Sequence, residues 1–452
     1  MYPRDTIAAI ATAGGAGAVA IVRISGADAL SAAARIFRGR RPDQWRSHRL
    51  YAGRVVDGEE RLLDRGLGVI MRAPRSYTGE DVIELHCHGG ALLARRLFSA
   101  AIAAGARAAR PGEFTLRAFL NGKLDLAQAE SVADLIAART DAALQVAAQQ
   151  LEGSLSRLVG RLREDLIGIA ARLEVAIDFS EEDVGDLDRA SLEVDASAVL
   201  RSLRELAASY SRGRIVREGV RVAIVGKPNA GKSSWLNCLL ETDRAIVTAV
   251  AGTTRDVIEE TVALDGGAAV LVDTAGIRSS DDEVERIGIG RTRQQIDAAD
   301  LVVVVLDNGR TWDEDDQQAL TAVRHKNHIV LINKADLPTR LDVPAVNGAP
   351  VVRGSALDGS GKAELLAEIL RCMSVDGPHN DSVLVTRARH HRAIDSAAQA
   401  VARSIAALRA SHPPDVIAVD IMTALDDLAE IAGRSSPDTV LDRIFSEFCI
   451  GK

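Results

Sequence analysis

The sequence predicts a multidomain fold of the α/β plus α class, and three observations carry that reading. Between residues 217 and 376, short apolar strands alternate with helical stretches, and a Gly-rich loop links the first strand to a helix. On both sides of that segment the texture turns to Ala- and Leu-rich helix. Ahead of it all, residues 1–119 mix short strands with Gly and Pro punctuation, as in an α+β domain.

Taken in chain order, Val19–Ile24, Gly68–Met71 and Val82–Leu85 read as strands, and Ala91–Ala104 as a helix stopped by Gly105. From residue 120, Leu151, Leu155, Leu158, Leu162, Leu166, Ile169 and Leu173 recur at steps of three and four. They predict one apolar stripe along a helix. The acidic run Asp178–Asp188 reads as a solvated loop. Arg221–Val225, Val270–Val272, Leu301–Leu306 and Ile329–Ile332 are continuous apolar runs, suited to a parallel sheet covered on both faces. Beyond residue 380, Ile394, Val401, Ile405 and Leu408 form a second helical stripe, and Asp415 behind Pro413-Pro414 reads as an N-cap. The expected organisation is an N-terminal domain (1–119) and a helical domain (120–216 with 377–452). The α/β domain (217–376) is inserted into the helical one.

Composition narrows the function. At 47% hydrophobic and 26% charged, the 452 residues exclude wholesale disorder and collagen-like structure. The longest strongly apolar run, Leu301–Leu306, falls far short of the roughly 20 residues of a membrane span. Arg4 and Asp5 are followed by no continuous apolar stretch, so no secretory signal is expected. Cys87, Cys238, Cys372 and Cys449 are scattered, which fits a reduced cytoplasmic compartment. A net charge of −8 argues against a dedicated nucleic-acid binder with one basic face.

The chemistry concentrates in the α/β segment. Gly226-Lys-Pro-Asn-Ala-Gly-Lys-Ser233 fits the phosphate-binding loop G-x-x-x-x-G-K-[ST] between a strand and a helix. Its backbone N–H groups and the helix N-terminus suit phosphate, with Asn229, Ala230, Gly231, Lys232, Ser233 and Ser234 as the binding run. Lys232 would reach the β- and γ-phosphates and Ser233 would ligate Mg²⁺. Asp273-Thr274-Ala275-Gly276 ends another strand, placing a carboxylate for water-mediated Mg²⁺ contact and the Gly276 N–H for the γ-phosphate. Asn333-Lys334-Ala335-Asp336 ends a third strand. The Asp336 carboxylate can accept from guanine N1–H and the exocyclic amine, a donor pair that adenine lacks. Ser355-Ala356-Leu357 would close over guanine O6 through backbone N–H groups. Each motif is weak alone, and four in this order read as a GTP-binding domain. The spacing resembles the translation-factor class of P-loop GTPases, in which Thr254 takes the place of the Mg²⁺-sensing switch threonine. Ile277 stands where many such enzymes carry a water-orienting Gln, so hydrolysis requires another group.

Longer strings extend the likeness along the whole chain. They include Asp5-Thr-Ile7, Val22-Arg-Ile-Ser-Gly26, Tyr77-Thr-Gly-Glu-Asp81, His88-Gly-Gly90 and Pro111-Gly-Glu-Phe-Thr115. Arg117–Leu126, Gln128-Ala-Glu130, the segment Asp273–Ile289 and the terminal Phe448-Cys-Ile-Gly-Lys452 continue them. Together they resemble the MnmE/TrmE family of bacterial tRNA wobble-uridine modification GTPases. Ala13–Gly17 departs from the family's Pro-Pro-Gly-Arg-Gly-like loop. Trp235 stands where the family favours Leu and is read as a packing change.

The resemblance implies a homodimeric GTPase that acts on tRNA with an FAD-containing partner protein. It would add a carboxymethylaminomethyl or aminomethyl group at the wobble uridine from a tetrahydrofolate one-carbon unit. In the family, GTPase domains pair and K⁺ takes the place of an arginine finger, a role in which cation charge at the β–γ bridge serves the chemistry. Carried over, Asn229 ligates K⁺ with Thr248, Val250 and Thr253, in a nucleotide loop that also includes Ala249, Ala251, Gly252 and Thr254. By residue chemistry alone Asn229 also admits the reading of a plain loop former, as the lesser alternative. Water orientation falls to Glu285, although Asp281, Asp282 and Glu283 beside it also read as a solvated acidic run. Arg23, Glu80, Lys123 and Lys452 match folate contacts, and each taken singly also reads as a surface ion-pair residue. Cys449 gains a functional role near that site, against the default of a buried structural thiol. His86-Cys87-His88 does not read as a zinc site, because adjacent strand residues point to alternating faces. The guanine motifs alone would also fit a regulatory switch in ribosome assembly without modification chemistry; the N-terminal domain and the Cys-Ile-Gly-Lys tail separate the two. The basic stretches Arg35–Arg54 and Arg387–Arg392, with aromatics at 3%, predict weak, salt-sensitive tRNA binding by the chain alone.

Overall fold

The computed structural model describes residues 5–178, 188–240, 259–264, 267–273, 293–343, 348–373, 383–433, 438–446, 448 and 450–451. At residues 259, 263, 267, 273, 373 and 438 the description is of the backbone alone. The chain forms two units, Met1–Ile136 with Gln149–Leu200 and Ser396–Lys452, and Ala137–Ala148 with Arg201–Asp395.

The first unit opens with a seven-stranded sheet in the order β3-β4-β5-β6-β2-β1-β7. Its strands are β1 (Ile7–Ile10), β2 (Val19–Ser25), β3 (Phe37–Gly39), β4 (Tyr51–Val56), β5 (Leu62–Met71), β6 (Val82–His88) and β7 (Arg107–Ala108). The three strands read from sequence are present, each one to six residues longer than its apolar run. Strands β1, β3, β4 and β7 carry too few bulky apolar residues to announce themselves. Helices α1 (Ala29–Ile36) and α2 (Ala91–Ala103) contribute Ala32, Ala33, Ile36, Leu97 and Ala101 to the core on β2 and β6, and Gly105 ends α2 at φ 109°. Glycines shape the far edge: a Cβ at Gly53 would fall 2.2 Å from Phe37, and one at Gly68 2.2 Å from Trp45. Trp45 packs edge-on against Phe37 and stacks on Tyr51. Along β6, Cys87 faces the core, whereas His86 and His88 lie on the other face beside Glu84 and Asp64.

The helices correct the sequence reading at three places. The leucine stripe is not one helix: α4 (Leu126–Ala137) and α5 (Asp141–Leu151) precede a break at Gly153, φ 81°, and α6 (Ser154–Asp178) starts afresh. Within α6 the buried row is Leu155, Val159, Leu162, Leu166, Ile169 and Leu173, so Val159 takes the inward place expected for Leu158. This row lies along α13 (Pro414–Ile431), which follows α7 (Arg189–Ala208), α8 (Tyr210–Glu218) and α12 (Ala388–Arg409) in the chain. Pro413 is the N-cap of α13 and Asp415 sits inside its first turn, where a carboxylate favours the positive end of the helix. The expected loop at Asp178–Asp188 lies outside the described residues between its two ends.

Five charged groups lock α3 (Glu113–Leu120) to β1 and β7. Arg117, 5% exposed, donates to the Asp5 carboxylate at 2.7 Å and its carbonyl at 2.6 Å, to Glu113 at 3.2 Å and to Glu80 at 3.1 Å. Arg107 spans Asp5 and Glu113 at 2.7 Å each. The Arg107 guanidinium, helped by Arg117, brings the Asp5 carboxyl down to about 2. Burial would raise Glu113, yet Arg107 and the Arg110 amide hold it below its ordinary value.

The second unit carries a six-stranded sheet ordered β13-β12-β11-β8-β10-β9. It comprises β8 (Val220–Val225), β9 (Glu259–Leu264), β10 (Gly267–Asp273), β11 (Leu301–Asp307), β12 (His328–Asn333) and β13 (Val351–Arg353). All neighbours are parallel except β9 on β10. Val303, Val305 and Leu331 enter the core under α9 (Lys232–Leu240) and α11 (Lys362–Met373), while Val302, Val304 and Ile332 enter the core on the opposite face. Between them in the chain runs α10 (Glu314–Val323), whose capping box uses Asp313 and Asp316. Among the described residues no helix is long and apolar enough to cross a membrane.

A carboxylate whose folded pKa is depressed adds stability above its unfolded pKa and loses it as pH falls through the folded value. The stability difference between wild type and Asp5→Asn is therefore expected in full at pH 6, to shrink from about pH 4, and to vanish only below about pH 2. Denaturant titrations across that range check it. In the second unit Leu331→Ala is expected to cost about 2–5 kcal/mol, read from the same kind of titration.

Candidate functional site

The carboxyl ends of parallel strands are where α/β sheets bind ligands, and here three motif loops and the end of β10 lie there. The loop after β8 turns through left-handed residues: Gly226 at φ 147°, Asn229 at 63° and Gly231 at 100°. Asn tolerates that region better than most residues, which accounts for Asn229 within the loop. A Cβ at Gly226 would meet the Val305 carbonyl at 2.4 Å, and one at Gly231 would fall 2.0 Å from the Asn333 amide nitrogen. Lys232 opens α9, and its ammonium donates to the Gly226 and Lys227 carbonyls at 2.9 Å each. Ser233 and Ser234 follow on the exposed first turn, so hydroxyls stand at the positive end of the helix.

Asn333 ends β12 and is almost fully buried. Its side-chain nitrogen donates to the Ala230 carbonyl at 2.7 Å, and its oxygen accepts from the Ala356 N–H at 3.2 Å. One amide thus joins the phosphate loop to the Ser355 loop. Lys334, at φ 63°, donates to the Asp307 carboxylate at 2.6 Å, and Asp336 stands exposed beyond it. Ser355 is buried, and its hydroxyl accepts from the Leu357 N–H at 3.2 Å, with the Leu357 side chain in solvent. The Ala356 and Leu357 donors that the sequence reading assigns to guanine O6 are in this structure engaged within the loops. Asp273 ends β10 opposite Ile224 of β8.

Asn229, Ala230, Gly231, Lys232, Ser233, Ser234, Asn333, Lys334, Asp336, Ser355, Ala356 and Leu357 thus all lie at or beyond the carboxyl ends of β8, β12 and β13 or on the first turn of α9. Thr248, Ala249, Val250, Ala251, Gly252, Thr253, Thr254, Thr274, Ala275, Gly276 and Glu285 lie outside the described residues, as does Ile277. Sequence reasoning missed Asp307, whose place at the end of an apolar strand was the available signal. It also missed Lys227, which donates to Asp316 at 2.9 Å and to Asp313 at the head of α10.

In the first unit Arg23 and Ser25 project from one face of β2. Arg23 donates to Glu84 at 2.9 Å and lies 5.7 Å from the ring centres of both Tyr77 and Phe114. Ser25 donates to Glu80 at 2.7 Å, Arg117 holds the same carboxylate, and Lys123 runs alongside Gly79, its Cγ 3.4 Å from where a Cβ would sit. Arg23, Glu80 and Lys123 therefore share one neighbourhood, with cations and a carboxylate around an aromatic wall. Cys449 and Lys452 lie outside the described residues.

Known proteins resemble this chain along its whole length. Residues 126–449 match the MnmE helical domain and residues 6–123 match the GTP-binding protein TrmE N-terminus. The tRNA modification GTPase MnmE of Syntrophotalea carbinolica is 45% identical over the full length of both chains. That of Moorella thermoacetica is 45% identical over 99% of each, and that of Lacticaseibacillus paracasei 43% over 99% of this chain and 98% of its own. Among solved structures, an Era variant from Aquifex aeolicus bound to GDP and AlF₄⁻ aligns over 40% of this chain and 66% of its own. The identity is 28% and the TM-score 0.28, too loose a likeness to bear on the site.

Proposed function

Because this chain belongs to the MnmE/TrmE family of tRNA modification GTPases, we propose that its GTP hydrolysis drives modification at C5 of the wobble uridine in certain tRNAs. The chain is a GTP hydrolase of tRNA modification. The reaction in this reading installs a carboxymethylaminomethyl or aminomethyl group from a tetrahydrofolate one-carbon unit, with an FAD-dependent partner. The observation that carries it is the convergence of the phosphate loop, Asn333-Lys334-Asp336 and the Ser355 loop at the carboxyl end of one sheet, in a chain whose other unit holds the Arg23–Glu80–Lys123 neighbourhood.

The residues divide the work by chemistry. In this reading Lys232 neutralises phosphate charge, and the exposed Ser233 hydroxyl offers the oxygen that Mg²⁺ prefers, with Thr254 as its second protein ligand. Asn229 supplies a hard oxygen for K⁺ beside Thr248, Val250 and Thr253, a cation that stabilises charge developing at the β–γ bridge. Asp336 selects guanine and Glu285 orients water. Arg23, Lys123 and Lys452 suit the glutamate carboxylates of folate, Glu80 suits its amino-pterin edge, and Cys449 acts nearby. The chain works as a cytoplasmic homodimer divided at 1–119, 120–216 with 377–452, and 217–376.

The tRNA contact in this reading is a surface row of arginines. Register places Arg38 opposite Arg54, and Arg54 opposite Arg65, across β3, β4 and β5. Like charges facing each other across strands destabilise a sheet. Glu60 pairs with Arg38, while Arg54 and Arg65 remain exposed and suit a phosphate backbone.

Nucleoside analysis of tRNA from a strain lacking the protein is the primary test, with loss of the wobble-uridine modification expected. Asp336→Asn is expected to shift preference from guanine toward xanthine nucleotides by on the order of 10- to 100-fold in competition binding. Glu285→Ala is expected to keep GTP affinity and lose at least about 100-fold in turnover in K⁺ buffer. Filter binding should show weak tRNA affinity for the isolated protein, falling steeply with salt, and a shallower slope for Arg54→Gln with Arg65→Gln.

A further inference from the structure

The position read from sequence as a packing change carries a polar contact. Trp235 lies on the first turns of α9, two residues past Ser233, with no exposed surface. Its indole Nε1–H donates to the Asn333 side-chain oxygen at 2.7 Å, wholly inside the protein. Its backbone N–H is the helical donor to Gly231, and its ring approaches Gly354, where a Cβ would fall 3.0 Å from Cζ2. Trp235 therefore touches the phosphate loop, the end of β12 and the approach to the Ser355 loop.

The chemistry of these partners is directional. An indole N–H and a backbone N–H can only donate, and a backbone carbonyl can only accept. Trp235 and Ala356 both aim donors at Asn333, so its oxygen has to face them. Its nitrogen is thereby turned toward the Ala230 carbonyl. An amide is nearly symmetric in shape, and its orientation is set by its hydrogen-bond partners. With Leu at position 235 the Ala356 N–H alone would hold the oxygen side, and a void would open beneath Gly354.

We propose that Trp235 is a positioning residue for guanine-nucleotide binding: its indole N–H fixes the Asn333 amide and so sets the base-binding loops against the phosphate loop. It acts through Asn333 and touches no substrate. The inference rests on the reading of Asn333-Lys334-Asp336 as the guanine site.

The test uses the full-length protein and GDP. Trp235→Phe keeps a ring and removes the donor. It is expected to raise the GDP dissociation constant about three- to tenfold, the range for losing one hydrogen bond whose acceptor keeps another partner. The loss should fall on KM for GTP rather than on kcat. A second measurement leaves Trp235 in place: with Trp45→Phe and Trp312→Phe, the remaining tryptophan emission should change on adding GDP and stay unchanged on adding ADP. GDP affinity of Trp235→Phe within 1.5-fold of wild type overturns the proposal. So does a single-tryptophan protein that binds GDP with no change in emission, and this arm stands if Trp235→Phe fails to fold. Wild type that binds ADP as well as GDP fails the guanine-site reading itself, an outcome distinct from either.

Discussion

Every side chain of β11 from Leu301 to Leu306 is buried, so the sheet around it has to be covered on both faces. A strand of this kind cannot lie at an edge or face water, and its neighbours β8 and β12 run parallel to it. Parallel strands need crossovers, and crossovers put all the loops that leave the strands at one end, the carboxyl end. The phosphate loop, the end of β10, Asn333 and the Ser355 loop share that end for this reason. Burial of a six-residue apolar run thus does more to assemble the nucleotide site than any polar residue within it.

The N-terminal unit solves a different problem with charge. Its sheet is bound to α3 through Arg117, which is nearly sequestered from water. A buried guanidinium is tolerable only when its donors are met, and Asp5, Glu80 and Glu113 meet them. Residues more than 100 positions apart in sequence are held in one register by that group. Glu80 belongs both to this lattice and to the neighbourhood of Arg23, so the geometry there is stiffened by the fold's own ion pairs.

Much of this was legible in the chain. The apolar runs of β8, β11 and β12 and the loop Gly226–Ser233 announce the sheet and its phosphate end, because both signals are local. What escaped depends on partners far away. Strands β3 and β4 hide because Gly39 and Gly53 leave room for Phe37, a reason visible only once the strands pair. The leucine stripe ran past Gly153 because periodicity does not register a left-handed turn that restarts in phase. Asp415 imitates a cap, yet the proline before it already satisfies the helix start. Trp235, set against the family's Leu, reads only as a packing change, since a donor's partner nearly 100 residues on cannot be seen from its neighbours.

The close approach of Gly231 to Asn333 joins two short motifs into one steric unit. A methyl group at Gly231 would occupy the space of the amide that holds the Ser355 loop, so neither motif has a shape of its own. In engineering terms they form a single part with two addresses: a graft of the phosphate loop into another scaffold has to bring the asparagine and the curvature of β12 with it. Evolutionary drift is bound the same way, because a change at either address is accommodated only by a simultaneous change about a hundred residues away.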